Sequence, residues 1–233
     1  MGREGIEPPQ SKTADLQSAE LTTCSICPDA AVRRSQSVPE NIRVDEERAI
    51  RIVVVLAGHL MFLSAGALRI LRGAREHRIR ANSPWWLQYY PPLVWLPLLI
   101  AVFARPIQVP LDGRLQLTGV AVAVAAAAFG ATGMWSLGRG YGIGLDIFAG
   151  APLVTSGVYG VVRHPMYLGI ALYHLGASVA LGSGFLLVAT ALYVLPYTAL
   201  RIGAEDRILD EGFGTEFETY RRRVATFIPR TRL

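Results

Sequence analysis

The chain is poor in charge and in cysteine for its length. Of its 233 residues only 18% are charged, and it contains two cysteines and a single lysine, Lys12. An ordinary soluble domain carries roughly 25% charged residues, and small disulfide scaffolds are dense in cysteine. The composition therefore excludes a disulfide-stabilised protein and argues against a soluble globular domain.

The sequence is instead 52% hydrophobic with a mean hydropathy of +0.34, and its apolar residues form long runs. About twenty apolar residues in helical conformation cross the roughly 30 Å of a bilayer core. Five runs approach that length, at residues 50–68, 85–104, 115–135, 165–181 and 185–201. We predict an all-α, polytopic membrane protein with about five transmembrane helices and a cytoplasmic, helical C-terminal cap.

Three regions follow from this pattern. Residues 1–48 are polar and interrupted by proline, so we predict a disordered N-terminal arm. Residues 49–134 hold the first three spans, and 135–233 form a core of one long loop, two spans and a C-terminal segment.

The N-terminal arm contains a lone Cys24-Ser-Ile-Cys27 pair. Without a second pair or nearby histidines this pair does not predict a metal site, and we predict none.

Arginine is distributed unequally between the two ends of the predicted bundle. Residues 72–80, 136–164 and 202–233 carry twelve arginines, whereas 105–114 and 182–184 carry two. Because positive charge concentrates on the cytoplasmic side, we predict a cytoplasmic C-terminus, in the plasma membrane of a bacterium if the arginine bias reflects a GC-rich genome. Arg43, Arg48 and Arg51 flank the first span on the opposite side and disagree with the rule. No nucleic-acid-binding motif accompanies the basic charge, so no nucleic-acid partner is expected.

Polar residues recur at helical spacing on the last two spans. On the fourth span they are His164, Tyr167, His174 and Ser178, and on the fifth Tyr193, Tyr197, Arg201 and Glu205. Residues three or four apart share a helix face, and polar residues inside membranes mark functional sites by default. The short Gly182-Ser-Gly184 connection requires antiparallel neighbours, which can turn the two stripes toward each other.

Simpler explanations exist for parts of these stripes. Arg201 and Glu205, at i and i+4, could form an ordinary ion pair worth a few tenths of a kcal/mol. His174 is expected to make an interhelical hydrogen bond rather than to take part in chemistry. The glycines of segment 138–144 suggest a dinucleotide loop, but no strand precedes them and no βαβ unit surrounds them, so a close-packed loop is the better interpretation.

Several motifs occur in a fixed order over residues 135–230. They are Leu-Val-Thr-Ser-Gly-Val-Tyr at 153–159, Arg-His-Pro-Met-Tyr-Leu-Gly at 163–169, Arg201 with Glu205-Asp206 and Leu209, Phe213-Gly214, Tyr220, and Ile228-Pro229. This ordered set resembles the isoprenylcysteine carboxyl methyltransferase family, and phospholipid N-methyltransferases share part of it. The resemblance implies an integral membrane methyltransferase that uses S-adenosyl-L-methionine.

The resemblance also implies roles for individual residues. Arg201 would face the acceptor, and Glu205 would hold the amino-acid end of the cofactor. The other implied cofactor contacts are Leu153, Val154, Tyr159, His164, Pro165, Met166 and Tyr167. The chain departs from the family at Ala151-Pro152, where a polar pair containing histidine is common, and at Asp206, which replaces a second glutamate.

The chemistry of methyl transfer is compatible with these residues. An in-line displacement needs a close, aligned acceptor more than a covalent enzyme group, so a carboxylate acceptor requires only a cation such as Arg201 to orient it. An amine acceptor must lose a proton, which makes His164 or Glu205 a candidate base. We therefore name Arg201 and His164 as candidate catalytic residues, with a lipid or lipophilic small molecule as acceptor and membrane lipids as surroundings.

Two alternatives remain from the sequence alone. Membrane enone or sterol reductases have a similar C-terminal arrangement but bind NADPH. Such an enzyme would need more spans, and arginines to bind the extra phosphate of NADPH, and this chain has little room for either. A non-catalytic scaffold or transporter would distribute polar residues to the membrane midplane. Here the strongest polar residues lie at one end of two helices, which favours a site open to the cytosol.

Overall fold

The computed structural model describes residues 40–73, 78–80, 84–140, 145–148 and 150–227. The chain divides into two compact units, residues 1–43 and residues 44–233. Of the first unit only the helical residues 40–43 are described. The cysteine pair and most of the predicted arm therefore lie outside the described residues, and the features below belong to the second unit.

The described residues are mostly helical. We number the helices α1 (Glu40–Gly73), α2 (Trp85–Gln88), α3 (Tyr90–Phe103), α4 (Gly113–Ser136), α5 (Pro165–Ala180), α6 (Gly184–Ala189), α7 (Leu195–Phe213) and α8 (Thr215–Arg223). A π-helical turn, Thr190–Val194, connects α6 to α7, and 3-10 turns cover Gly138–Gly140 and Gly157–Gly160. Strands β1 (Arg78–Arg80) and β2 (Asp146–Phe148) form one antiparallel ribbon, in which Ile79 pairs with Ile147. The prediction of a helical fold is confirmed, and the two-stranded ribbon is an element that the sequence did not predict.

The first helix begins earlier than the sequence indicated. Residues 40–48, which we expected to belong to a disordered arm, form the first turns of α1. In these turns Glu47 and Arg51, at i and i+4, form an ion pair of 3.4 Å. Pairs of this spacing stabilise a helix locally, so the helix extends beyond its apolar stretch.

Each predicted span coincides with a helix, but the helices differ in length. Three are long and apolar enough to cross a membrane, namely Val44–Leu68, Gly113–Ser136 and Gly184–Phe213. Helices α3 and α5 have 14 and 16 residues, or about 21 and 24 Å at 1.5 Å per residue. Eleven residues of α5 are buried, so this helix is surrounded largely by protein. The chain is a multi-pass membrane protein whose two shorter helices lie within the bundle.

Helices α4 and α5 pack closely because small residues face each other. A Cβ atom added at Gly169 would lie 2.7 Å from the Cα of Gly130, and one at Gly176 would lie 2.6 Å from the backbone nitrogen of Ala123. Ala123 and Ala127 of α4 are buried at the same interface. Small residues at such positions let two helix backbones approach in a membrane. This interface holds the start of α5, and with it the candidate site, in place.

Proline shapes α3 and α7, and a neighbouring side chain compensates in one of them. Pro97 lies inside α3 and cannot donate a hydrogen bond to the carbonyl of Leu93. The hydroxyl of Tyr193 donates to that carbonyl at 3.1 Å, which is how membrane helices tolerate proline. Pro196 similarly has no backbone N–H to donate to the preceding turn. Just before it, the backbone N–H of Leu195 donates to the carbonyl of Thr190, five residues earlier, which is the hydrogen bond of a π-helical turn.

The two ends of the bundle are defined by backbone contacts. The amide of Val109 donates to the carbonyl of Gly182 at 2.7 Å, and the amide of Gly184 donates to that of Ile107 at 2.9 Å. The loop before α4 therefore lies beside the α5–α6 turn. At the opposite end, the start of α5 lies beside the later part of α7, as the antiparallel hairpin prediction required. That this second end faces the cytoplasm stays a prediction.

Candidate active site

A cavity opens at the end of the bundle where α5 begins. Its volume, including the open mouth, is about 890 Å³. Polar and charged side chains contribute to its wall, among them His164, Tyr167, Arg201 and Glu205. The remaining lining residues are Leu137, Gly140, Leu145, Ile147, Ala151, Pro152, Leu153, Val154, Tyr159, Arg163, Met166, Ile208, Leu209, Phe213 and Tyr220. We call this space the polar cavity.

The hydroxyl of Tyr167 connects the two polar stripes. It donates a hydrogen bond to Oε2 of Glu205 and accepts one from Nε of Arg201 at 3.1 Å. Tyr167 is on α5 and the other two residues are on α7, so the stripes face each other as expected from the short hairpin. A tyrosine thus bridges the cation and the carboxylate, which also interact electrostatically with each other.

Arg201 is held from a second direction by a backbone carbonyl. Its guanidinium donates to the carbonyl oxygen of Leu87 in α2 and lies 5.8 Å from the centre of the Tyr90 ring. The residue is only 3% exposed. A planar guanidinium that is fixed at several points is preorganised for directional contacts, so its position at the cavity wall is determined by the fold.

His164 belongs to a different group of residues. Its Nε2 lies 2.8 Å from Oδ1 of Asp206, and Arg163 reaches the other oxygen of the same carboxylate at 3.2 Å. Asp206 thus accepts from two neighbouring residues of the loop that leads into α5. The ring nitrogen Nε2 is engaged in this contact, so His164 holds the wall of the polar cavity together.

Arg163 also ties the C-terminal segment to the cavity. Its amide donates to the carbonyl of Ala225 at 2.9 Å, and its guanidinium donates to Oγ1 of Thr226 at 2.8 Å. Phe217 and Tyr220 form the buried side of α8. Residues 215–226 therefore lie along one side of the cavity, as predicted for a C-terminal cap.

A second tie involves two tyrosines. The hydroxyl of Tyr220 donates to the carbonyl of Tyr159 at 2.7 Å. Burial raises the pKa of Tyr220 to about 12, so this hydroxyl remains a donor at any physiological pH. The contact fixes the 3-10 turn that contains Tyr159 against α8.

A second, mostly apolar cavity reaches the same residues from within the bundle. Its volume is about 820 Å³. The residues that line this cavity alone are Phe62, Leu63, Gly66, Ala67, Ile70, Tyr90, Pro91, Trp95, Met134 and Ile170. Met166, Tyr167 and Arg201 line both cavities. We call this second space the apolar cavity; the two cavities meet at these three side chains.

The chemistry of the polar cavity fits a cation with an aromatic part. Glu205 offers a carboxylate, which attracts ammonium and sulfonium groups, and Tyr159, Phe213 and the apolar residues of 151–154 offer surface for a planar ring. No group of three or more metal-ligating side chains occurs among the described residues.

The structure brings most of the sequence-predicted residues together. Leu153, Val154, Tyr159, His164, Met166, Tyr167, Arg201 and Glu205 all line the polar cavity. Pro165 does not line it, because its ring packs against α4 within about 3.1–3.3 Å of where a Gly133 Cβ would lie. Their roles toward a cofactor or an acceptor stay predictions.

Other members of the polar stripes lie elsewhere. Nδ1 of His174 donates to the carbonyl of Ile170 in its own helix at 2.8 Å, and its ring stacks on Trp95 of α3. The expected interhelical hydrogen bond of His174 stays a prediction. Tyr197 donates to the carbonyl of Trp86. These residues fasten α3 and α2 to the last two spans.

Sequence reasoning missed the apolar cavity and part of the polar one. Leu145, Ile147 and Ile208 line the polar cavity without any motif to mark them. Tyr90 also belongs to no motif, yet it is 2% exposed and its hydroxyl lies 2.8 Å from that of Thr198. The proline-rich start of α3 was the available signal, because it turns the chain into the bundle.

Comparisons with known proteins agree with the motifs. The family model for phospholipid methyltransferases matches residues 115–216. Similar curated proteins, each matched over 77 residues or 33% of this chain, include the protein-S-isoprenylcysteine O-methyltransferases of Schizosaccharomyces pombe, 36% identical over 33% of that protein, and of Homo sapiens, 39% identical over 27%. Protein-S-isoprenylcysteine O-methyltransferase A of Arabidopsis thaliana is 38% identical over 39% of its length.

These matches confirm the resemblance for one part of the chain, which spans about a third of the length of the curated relatives it matches. A solved structure of the eukaryotic intramembrane Ras methyltransferase ICMT, without a monobody, is similar at a TM-score of 0.47 and 24% identity, covering 65% of this chain and 54% of that one. The walls of the apolar cavity that come from α1 and α3 lie before the matched family region.

Proposed function

We propose that this chain, whose core resembles the isoprenylcysteine O-methyltransferases, is an integral membrane methyltransferase. It transfers a methyl group from S-adenosyl-L-methionine to a lipophilic acceptor held in the membrane. The observation that carries the proposal is the meeting of the polar cavity and the apolar cavity at Met166, Tyr167 and Arg201. A soluble cofactor and a lipid-like acceptor could thus meet at one point while entering from different surroundings.

Glu205 and the aromatic residues of the polar cavity would hold the cofactor. When bound there, S-adenosyl-L-methionine supplies an electrophilic methyl group on a sulfonium. Glu205 would bind the cationic amino-acid end, and Tyr159 with the backbone of 151–154 would contact the rest. Tyr167 keeps the carboxylate oriented through its hydroxyl. Asp206, His164 and Arg163 would position the loop rather than act on the methyl group.

Arg201 would orient the acceptor. A carboxylate entering from the apolar cavity would meet a buried guanidinium that Leu87 and Tyr167 already fix. A carboxylate acceptor would carry no proton to be removed, so Arg201 would only have to hold one of its oxygens toward the methyl group that the cofactor would supply. Enclosure by the surrounding side chains limits water, which favours a step that neutralises separated charges.

A carboxylate acceptor is favoured over an amine. An amine would need a base at the meeting point of the cavities, and the candidate bases do not lie there. His164 lines only the polar cavity and is engaged with Asp206, and Glu205 is engaged with Tyr167. The named relatives are O-methyltransferases, which agrees with an oxygen acceptor, whereas neither the reductase nor the transporter alternative gains support.

The first test compares cofactors. Purified full-length protein in detergent should bind labelled S-adenosyl-L-methionine and should not bind NADPH. The protein is then supplied with the cofactor and a panel of amphiphiles that share one prenyl or acyl chain and differ in the head group, which is a carboxylate, an amine or a thiol. Methylation of the carboxylate members is expected; binding of NADPH alone would exclude the proposal.

The second test separates the two cavities. Ala67 lines only the apolar cavity, so Ala67→Phe should lower turnover and raise KM for the acceptor while leaving cofactor affinity unchanged. Ala57→Phe is the matched control, because Ala57 is exposed on the same helix and does not line either cavity. Equal effects of both substitutions would contradict entry of the acceptor through this space.

A further inference from the structure

A group of arginines lies at the end of the bundle opposite the active site. Here a small open pocket, of about 180 Å³ including its mouth, lies between α1, the end of α3 with the loop that follows, and the α5–α6 turn. Arg48, Arg105 and Gln108 form its polar side. Ile52, Ala101, Val102 and Leu181 form its apolar side. We call this the arginine pocket. It is separated from Arg201 by the length of α5, about 24 Å.

The two arginines of the pocket interact with each other, and no carboxylate is among the residues that line it. Arg48 is repelled by Arg105 and Arg51 and is attracted by Asp45, which lies outside the pocket lining. Its side-chain hydrogen bond goes to the neutral Oε1 of Gln108, at 3.0 Å. Within the described ranges no carboxylate forms an ion pair with Arg48 or Arg105.

The adjacent carboxylate is already engaged. Glu47 forms an ion pair with Arg51 at 3.4 Å. Two guanidinium groups that line the same pocket repel each other unless an anion lies between them. The pocket therefore has the electrostatic character of an anion site.

The backbone holds Arg105 in an unfavourable conformation. Its φ is 50° and that of Ile107 is 49°, in the left-handed region that side chains other than glycine avoid. Hydrogen bonds from Val109 to Gly182 and from Gly184 to Ile107 fix this loop against the α5–α6 turn. Such conformations persist only where the surrounding structure enforces them, and they concentrate at functional sites. Here the enforced turn directs the Arg105 side chain to the pocket that contains Arg48.

We infer that the arginine pocket binds a phosphate group, and specifically the phosphodiester of a phospholipid head group in the leaflet at that end of the bundle. Guanidinium groups recognise phosphate oxygens by charge-assisted hydrogen bonds. The apolar half of the pocket, on α1, α3 and the α5–α6 turn, suits the first atoms of the lipid chains. A free phosphate would gain nothing from that half.

The same site accounts for an exception in the charge pattern. Arg48 and Arg51 lie at the end of α1 where the positive-inside rule predicts few arginines. An arginine that binds a lipid head group can lie on this side of the membrane for that reason, so it does not indicate the orientation of the chain. The alternative is that Arg48 and Arg105 only neutralise the negative ends of α3 and α5, an interaction of 0.3–1 kcal/mol in general, and this alternative predicts no lipid dependence.

The test measures lipid binding by the delipidated full-length protein in detergent. Phosphatidylglycerol is added back, and bound lipid is counted by native mass spectrometry. The variants are Arg48→Gln and Arg105→Gln, each of which should weaken binding by about ten- to a hundredfold, since a charge-assisted hydrogen bond is worth about 1.5–3 kcal/mol. Arg114→Gln is the matched control, because Arg114 is exposed at the same end of the bundle and does not line the pocket. Elution of each variant as a single species on size exclusion confirms folding.

Two further probes identify the source of the phosphate. Diacylglycerol with the same chains lacks the phosphodiester and should bind weakly to the parent protein and to both variants. Inorganic phosphate should displace phosphatidylglycerol poorly if a lipid is the ligand; efficient displacement that depends on Arg48 and Arg105 would identify free phosphate instead. Unchanged lipid binding in both variants, an equal loss in Arg114→Gln, or equally tight diacylglycerol binding would overturn the inference.

Discussion

The hydroxyl of Tyr167 donates a hydrogen bond to Glu205, although the two residues are 38 positions apart in the sequence. The contact joins the first turn of α5 to the later part of α7. Because the same hydroxyl also accepts from Arg201 at 3.1 Å, one tyrosine fixes the position of both the carboxylate and the cation of the site. The consequences of this arrangement can be tested residue by residue.

Removing the charge of Glu205 should weaken cofactor binding. Glu205→Gln keeps the shape of the side chain but removes the carboxylate that we expect to bind the cationic end of the cofactor. Hydrogen bonds to charged groups are worth about 1.5–3 kcal/mol, so the Kd for S-adenosyl-L-methionine should rise by about ten- to a hundredfold. Isothermal calorimetry in detergent measures the effect. Glu211→Gln, an exposed acid on the same helix, should leave the Kd unchanged, and an equal loss there would refute the assignment.

Changing Arg201 should affect turnover more than cofactor binding. Arg201→Lys retains the positive charge but loses the planar group that contacts both Leu87 and Tyr167. Loss of an oriented electrostatic group costs about 10²–10³ in kcat in other enzymes, and we expect a fall of that order. The cofactor Kd is measured in parallel. A variant with full turnover would show that Arg201 has only a structural role.

Releasing Arg163 should loosen the C-terminal segment. Arg163→Ala removes the side-chain contacts to Thr226 and Asp206 but leaves the backbone bond to Ala225. We expect faster proteolytic cleavage beyond α8 and weaker cofactor binding, since the segment covers the polar cavity. Limited trypsin digestion followed by mass spectrometry provides the readout. The matched control is Arg207→Ala, an exposed arginine on α7; indistinguishable digestion of the two variants would argue against the tie.

Enlarging a glycine at the α4–α5 interface should destabilise the protein. In Gly169→Ala the new Cβ would lie 2.7 Å from the Cα of Gly130 and 2.9 Å from the carbonyl of Ala126. Neither backbone atom can move without separating the helices, so a loss of about 1–3 kcal/mol is expected. Gly203→Ala on α7 meets nothing within 4 Å and should be neutral or stabilising by up to about 1 kcal/mol. Thermal unfolding in detergent compares them, and a higher transition temperature for Gly169→Ala would disprove the close approach.

Local sequence patterns predicted the elements well where a single physical rule dominates. The lengths of the apolar runs predicted the positions of all five spans. The short Gly182-Ser-Gly184 connection required the antiparallel hairpin that brings Tyr167 to Glu205. The patterns failed where local and tertiary effects compete. The start of α1 at Glu40 depends on charged pairs such as Glu47 with Arg51 rather than on hydropathy. The shortness of α5 is possible because its neighbours, not lipid, surround it.

The candidate site shows the same division. Residues of the polar cavity were predictable because they lie on helical stripes or in ordered motifs. The apolar cavity was not, because Phe62, Trp95 and Met134 are ordinary apolar residues in three separate spans. Their sequence spacing carries no sign that they enclose a space. The stacking of His174 on Trp95 of α3 was not predictable for a related reason, since nothing local indicates that these two rings meet.

The sequence by itself determined that this chain lies in a membrane, where its helices are, and which motifs give its core a methyltransferase resemblance, because hydropathy, glycine and spacing act locally. Only the tertiary structure decided that two cavities meet at Met166, Tyr167 and Arg201, and that Arg48 approaches Arg105 at the other end. Both are convergences of residues that are distant in sequence, and they depend on how closely α4 and α5 pack and on how proline redirects the chain.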